Sequence, residues 1–177
     1  MESTEASTMV KTLQLAIQLE MDGKKFYQQA SQKSGNKLSK DLFKTLAIEE
    51  DSHRKKFEEI YEALKGSQDW PDVKPLSGKG KRIESIFTEA IKELGNKIEV
   101  AASEVDAIKA SMDMEIKTYE FYRSRSEQST VPLEKQFYQA IAAEERGHHL
   151  VLLDAYEYLT DPAGWFVRTE HTLLDGA

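Results

Sequence analysis

Apolar residues recur at steps of three and four positions along four long segments of the chain. This spacing keeps one face of an α-helix towards a core, so it predicts four amphipathic helices, named A to D. On helix A the apolar face includes Leu13, Ala16, Ile17 and Tyr27. The predicted bounds are 8–33 for helix A, 39–65 for B, 103–128 for C and 132–159 for D.

The links between these helices predict how the helices are arranged. Gly35-Asn36 separates A from B and Thr130-Val131-Pro132 separates C from D, and both links are short enough for antiparallel hairpins. The B to C segment is long, is rich in glycine and proline, and contains a predicted extra helix over 82–94. A long connection of this kind suits a crossover along a bundle of two like-oriented hairpins.

The predicted fold class is therefore all-α, a four-helix bundle over residues 1–160 with a B to C crossover that carries a short helix. Residues 161–177 form a predicted C-terminal tail that contains Trp165, Phe166, His171, Leu173 and Leu174. Large apolar side chains are costly to leave in water, so we expect this tail to pack on the bundle.

The two halves of the chain repeat one polar pattern at a constant offset of 95 positions. Apolar and aromatic positions follow the same offset, since Phe26-Tyr27 recurs as Phe121-Tyr122. This gapless match predicts an internal duplication of a two-helix unit that cannot easily bury its apolar face alone. The repeated polar residues are Glu20, Glu50 and His53 in the first half and Glu115, Glu145 and His148 in the second.

Composition narrows the possible chemistry. The 177 residues suit one domain, which buries roughly 70% of its unfolded surface. A net charge of -7 argues against nucleic acid as the main partner. The absence of cysteine excludes disulfides, iron–sulfur clusters and thiolate zinc sites. No secretory signal or run of 18 apolar residues is present, so no membrane partner is predicted and the cytoplasm is the expected compartment.

Each of the four helices places a glutamate within its apolar face. Four ionised carboxylates in one apolar core repel each other and lose hydration, at an effective cost of several kcal/mol per ion. Two iron or manganese ions would neutralise them, and a set of carboxylates with two imidazoles suits these metals, with zinc left open. The arrangement matches the known template of di-iron bundles, in which two helices give one Glu each and two give Glu-x-x-His.

Each of these residues also has an interpretation that needs no metal. A single Glu-x-x-His is usually a solvated pair, and only its duplication on apolar faces favours ligation. Tyr27 and Tyr122 are either core filler or hydroxyl donors to the carboxylates. His149 is predicted to lie on the surface. Glu49 and Glu144, next to the proposed ligands, are predicted to be replaceable by alanine with metal binding nearly intact.

These residues resemble the rubrerythrin family of the ferritin-like superfamily, over nearly the whole chain. The ending Asp161-Pro162-Ala163-Gly164-Trp165-Phe166 also looks like tails of this group. The resemblance rests on Glu20 with Phe26-Tyr27, Glu50-Asp51-Ser52-His53, Glu115 with Phe121-Tyr122, and Glu145-Arg146-Gly147-His148.

The resemblance implies a ferritin-like bundle with two iron ions. Glu50 and Glu145 would bridge the ions, Glu20 and Glu115 would be terminal ligands, and His53 and His148 would each complete one iron. Typical rubrerythrins also carry a rubredoxin-like domain with four cysteines, whereas this chain has none, so the resemblance implies that electrons come from another protein. Thr118 stands where the family has a second glutamate after the helix C ligand.

Together these features predict a non-haem di-iron oxidoreductase. It would reduce hydrogen peroxide or dioxygen with an external, rubredoxin-like electron donor and protect the cell from oxidative stress. The alternative is a ferroxidase or iron-binding protein without peroxidase turnover, and a third possibility is a structural bundle that has lost activity. A homodimer is also expected, and the long B to C link would allow hairpins to exchange between chains.

Overall fold

The computed structural model describes residues 2–66, 69–73, 80–94 and 100–174. It confirms the all-α class and the four predicted long helices. Helix α1 begins at Glu2, earlier than predicted, because no glycine or proline interrupts the polar residues that precede Thr8. The helices are α1 (Glu2–Lys33), α2 (Lys37–Gly66), α3 (Gly80–Leu94), α4 (Ala102–Gln128), α5 (Pro132–Thr160) and α6 (Pro162–Leu174).

Two antiparallel hairpins, α1 with α2 and α4 with α5, pack together as the four-helix bundle. The crossover helix α3 lies against α2 and α5, and α6 lies against α5. Pro75 and Gly78 of the crossover lie outside the described residues. Within the described part of the chain, no helix has both the length and the apolar character needed to cross a bilayer.

The bundle core consists of two apolar layers at opposite ends. Tyr27, Leu42 and Leu152 belong to the layer near the α1–α2 link, which also includes buried residues of α3. Leu13 and Phe137 belong to the layer at the other end. The mid-length position of each long helix lies between these layers, so a polar group placed there is shielded from water on both sides.

The tail forms helix α6, and its two aromatic residues lie on the bundle. Trp165 and Phe166 both contact the ring of Tyr158 edge to face, and Trp165 also contacts Phe87 of α3. The side chains of His171, Leu173 and Leu174 are not among those described, and Asp175 and Gly176 lie outside the described residues.

A buried carboxylate, Glu104, joins the start of α4 to the α1–α2 link. One of its oxygens accepts hydrogen bonds from the backbone N–H groups of Gly35 and Asn36, at 2.8 and 3.2 Å, and from the Asn36 side chain at 3.0 Å. Its other oxygen accepts from the backbone N–H of Ala101 at 3.3 Å. This single side chain therefore ties the two hairpins together at one end of the bundle.

We expect Glu104→Ala to lower the free energy of unfolding by about 3 kcal/mol, because buried donors lose a charged acceptor. Urea denaturation followed by circular dichroism measures this change. Asp106→Ala is the matched control, since Asp106 is exposed on the same helix. Equal stability of the two variants would show that the link does not depend on Glu104.

Candidate metal centre

The six repeated polar residues come together at mid-length of the bundle, between the two apolar layers. None of these residues is more than 4% exposed. Glu50 and His53 follow each other at i and i+3 on α2, as do Glu145 and His148 on α5, so each pair lies on one helix face. Glu20 and Glu115 reach the same position from α1 and α4.

The potential ligand atoms form two groups, and within each group all of them lie within 4.8 Å of one another. Glu50 and Glu145 belong to both groups, so the two positions share a pair of carboxylates. The first group is Glu20, Glu50, His53 and Glu145, and the second is Glu50, Glu115, Glu145 and His148.

The two imidazoles point one nitrogen each into this cluster. His53 Nδ1 lies 3.0 Å from a Glu145 oxygen and 3.4 Å from a Glu20 oxygen. His148 Nδ1 lies 3.5 Å from Glu115 and 3.6 Å from both Glu50 and Glu145. The two rings stack with centroids 5.7 Å apart and planes 15° apart. This near two-fold arrangement follows from the duplication.

Two tyrosines hold the carboxylates of Glu20 and Glu115, and they do so across the two halves of the chain. The Tyr27 hydroxyl donates a hydrogen bond to Glu115, and the Tyr122 hydroxyl donates one to Glu20. Both rings are fully buried. Each tyrosine therefore positions the carboxylate of the opposite hairpin, a pairing that helix periodicity does not specify.

Gly23 and Thr118 occupy equivalent positions in the repeat and border the two shared carboxylates. A Cβ atom on Gly23 would lie 3.0 Å from a Glu50 oxygen, so glycine leaves room for that carboxylate. The Thr118 hydroxyl lies 3.4 Å from a Glu145 oxygen and also donates to the Met114 carbonyl of its own helix. The surroundings of the two shared carboxylates therefore differ.

The residues present fit a pair of metal ions. Each of the six has a fully buried nitrogen or oxygen that has no hydrogen-bond partner among the described residues. Such atoms are costly to bury unless a ligand satisfies them. Carboxylate oxygens and imidazole nitrogens are donors to iron, manganese and zinc. Glu20 Oε2, Glu50 Oε1, His53 Nδ1, Glu115 Oε2, Glu145 Oε1 and His148 Nδ1 are the atoms concerned.

A family comparison agrees with this geometry. The model of the rubrerythrin family matches residues 11–156, which include all four long helices in whole or large part. The chain belongs to the rubrerythrin family. No curated protein and no solved structure matches it. The four-helix bundle predicted from the repeat, and the ferritin-like fold that the resemblance implies, are thereby confirmed for this rubrerythrin-family chain.

Burial and neighbouring carboxylates raise the pKa of two carboxyls in this rubrerythrin site. Burial raises the pKa of Glu50 well above its ordinary value, and the negative charges of Glu145 and Glu20 raise it further. Burial and the charge of Glu145 also raise the pKa of Glu115, to about 8. The Glu115 carboxyl therefore holds a proton at neutral pH when no metal neutralises it.

The pKa of Glu145 is lowered and the pKa values of the two histidines are raised, as expected for acidic and basic groups that lie close together. Burial acts to raise the pKa of Glu145, but the adjacent imidazoles of His148 and His53 hold it well below its usual range. Burial acts to lower the pKa of both histidines, but nearby carboxylates outweigh it. The pKa of His148 is raised to about 10, chiefly by Glu115, and that of His53 is raised well above its ordinary value, chiefly by Glu20. When no metal is bound, protons on the histidines therefore supply the positive charge that faces the buried carboxylates.

Glu49 and Glu144, for which the sequence predicts replacement by alanine with metal binding nearly intact, do not lie on the open surface. Glu49 is only 1% exposed. A Glu144 oxygen lies 3.0 Å from Nε2 of His53, so Glu144 fixes the ring that points Nδ1 into the cluster. Their recurrence at the repeat offset was the sequence signal for a role. His149 is half-buried rather than on the open surface, because its Nδ1 faces the Met112 carbonyl at 3.3 Å.

We therefore expect Glu144→Ala to weaken metal binding by about 10- to 100-fold, the usual effect of losing a carboxylate behind a ligating histidine. Competition with a chelator of known affinity measures this change. Glu127→Ala, on an exposed glutamate of α4, is the control. Unchanged affinity in Glu144→Ala would show that the His53 ring is oriented by its packing alone.

Proposed function

We propose that this protein is a di-iron oxidoreductase that reduces hydrogen peroxide, or dioxygen, with electrons from an external donor protein. The observation that carries the proposal is the pair of four-residue ligand groups that share two carboxylates. Membership of the rubrerythrin family supports iron as the metal. A ligand set of oxygen and imidazole nitrogen is also one that iron accepts.

In this proposal each ligand has one role. Glu50 and Glu145 would hold both ions, because each belongs to both groups. Glu20 and Glu115 would each hold one ion, and each is kept in place by a tyrosine hydroxyl from the opposite hairpin. His53 would complete the first group and His148 the second.

Two iron ions supply, when bound, the two electrons that cleave the oxygen–oxygen bond of hydrogen peroxide. The four carboxylates balance the change in charge that accompanies this electron transfer. The apolar layers on both sides exclude bulk water and strengthen electrostatic interactions at the centre. The hydrogen bond from Glu144 keeps the His53 ring in the orientation that presents Nδ1.

Thr118 would not add a carboxylate ligand to the proposed set. This position carries a second glutamate in the family members that the chain resembles, where it takes part in a redox-linked shift of one iron. Here the hydroxyl donates to the carbonyls of Met114 and Glu115 and lies 3.4 Å from Glu145. It offers no carboxylate, so the six residues named above would be the whole set that holds the ions.

Metal analysis and stopped-flow absorbance test the proposal. The protein is loaded anaerobically with ferrous iron and mixed in turn with peroxide and with air. We expect two irons per chain and much faster oxidation by peroxide. Continued uptake of ferrous ion with faster oxidation by air would instead identify a ferroxidase, and no stoichiometric iron would overturn the di-iron assignment.

A further inference from the structure

The outer face of helix α5 carries apolar side chains next to two grooves. Leu150 is 50% exposed, and Leu153 on the same face is half-buried. One groove, of about 300 Å³, lies between α4 and α5 and is lined by Ile116 and Tyr119. The other, of about 770 Å³, lies between α5, α3 and α6 and is lined by Ile91 of α3. Leu150 lines both grooves, so they form one continuous surface with α5 at its centre.

The duplication shows that the bundle itself does not require an apolar face here. At the positions 95 residues earlier, α2 carries Lys55 in place of Leu150 and Glu58 in place of Leu153. Lys55 is largely exposed and forms an ion pair with Asp51 at 2.8 Å. The same fold therefore accepts charged, solvated side chains on this face of the first hairpin. The apolar residues of α5 are better explained by a protein that covers them.

Gly147 lies on the same face, one turn before Leu150. Glycine in the middle of a helix costs about 1 kcal/mol relative to alanine. A Cβ atom on Gly147 would meet no other atom within 4 Å among the described residues, so packing inside the bundle does not explain the glycine. The repeat counterpart is Ser52. A position without a side chain lets a second helix approach closely from outside.

The residues along this face are self-complementary about Leu150. If two copies of α5 cross antiparallel with Leu150 at a two-fold axis, residues at equal distances on either side of it meet. Arg146 and Asp154 are both exposed and both four positions from Leu150, so the guanidinium of one copy faces the carboxylate of the other. Gly147 and Leu153 are both three positions away, so the leucine of one copy lies over the glycine of the other. A two-fold interface needs such self-complementarity, because the same patch serves both partners.

The charges of this surface also favour a second copy over a strongly charged partner. The chain has a net charge of -7, so two copies repel each other through most of their surface. Among the residues that line the two grooves, Arg146 and Lys92 balance Glu120 and Asp154. Repulsion between two copies is therefore weakest where these grooves meet.

We propose that this face of α5 is the interface of a homodimer, in which two copies of α5 pack antiparallel about a two-fold axis at Leu150. Eleven residues line one groove and six line the other, with Leu150 in both, which approaches the roughly 20 to 30 residues a side of a stable interface. Each chain keeps its own two hairpins, so this dimer differs from one formed by exchange of hairpins. The proposal goes beyond the proposed function and does not depend on the metal centre.

Sedimentation equilibrium of the full chain tests the interface. We expect a dimer, and we expect Leu150→Lys to raise its dissociation constant at least about 30-fold, as for other central residues of an interface. Leu15→Lys is the matched control, because Leu15 is also 50% exposed but lies on α1, and this variant should remain dimeric. Circular dichroism confirms that each variant is folded.

Two results would overturn the proposal. A wild-type chain that stays monomeric would assign the α5 face to a different protein. A Leu150→Lys dimer of unchanged affinity would mean that the copies associate elsewhere, for example by exchange of hairpins.

Cross-linking tests the position of the axis. The sequence has no cysteine, so Leu150→Cys introduces a single thiol. A short bismaleimide cross-linker should join two copies of Leu150→Cys at low protein concentration and should leave Leu15→Cys largely unjoined. Equal cross-linking of the two variants would contradict an axis at Leu150.

Charge exchange tests the antiparallel arrangement. Arg146→Glu should weaken the dimer, because it places a carboxylate opposite Asp154, and adding Asp154→Arg should restore it. Gly147→Leu should also weaken the dimer without loss of helix content, whereas Ser52→Leu, at the repeat counterpart, should not. Failure of the double charge variant to recover would overturn the antiparallel arrangement.

Discussion

Glu50→Ala and Glu145→Ala are each expected to lose both metal ions, whereas Glu20→Ala and Glu115→Ala should each retain one. The difference follows from the geometry, because Glu50 and Glu145 belong to both ligand groups and the other two carboxylates belong to one each. Removing a shared carboxylate also leaves the remaining buried charges less well compensated. Metal content after anaerobic loading and desalting measures the stoichiometry.

The control for these variants is Glu59→Ala, an exposed glutamate on the same helix as Glu50. It should bind two ions with unchanged affinity. Loss of a single ion from Glu50→Ala would show that Glu50 serves one position only. Equal loss from bridging and terminal variants would mean that the two ions bind as an inseparable pair.

The stability of the metal-free protein is expected to fall as pH rises from about 5 to 10. A group whose pKa is raised by folding stabilises the fold below its ordinary pKa, and this stabilisation is lost as pH rises through the folded value. The pKa of Glu115 is raised from 4.5 to about 8, and that of His148 from 6.5 to about 10. Glu145, with a lowered pKa, acts in the opposite sense, but only below its ordinary value of 4.5.

Bound metal should reverse this trend, because metal ligation requires deprotonated ligands and releases their protons. The gain in melting temperature on metal loading should therefore be larger at pH 8 than at pH 6. Calorimetry or thermal circular dichroism of the two forms measures it. Glu115→Gln, which mimics the protonated carboxyl, should flatten the metal-free profile between pH 4.5 and 8. A metal-free protein that becomes more stable over that range would contradict the prediction.

The sequence predicts the long helices and the inward glutamates because helical periodicity and the repeat point to the same faces. It does not predict the role of Glu144, because this position lies beside the apolar face and is covered only when another helix brings His53 against it. Periodicity likewise places Tyr27 on the correct face but does not select Glu115 as its acceptor. Trp70 follows no helical period, and its contact with Tyr138 depends on the path of the crossover.

The shared carboxylates bear on the origin of this chain. Each ligand group takes three residues from one hairpin and a single glutamate from the other. One hairpin alone therefore completes neither position, whereas two identical hairpins in a two-fold dimer would complete both. In one chain, by contrast, each copy of the hairpin has a single set of neighbours. The two copies differ at equivalent positions, with Gly23 opposite Thr118 and Phe43 opposite Tyr138. Two identical hairpins in a homodimer could not differ in this way.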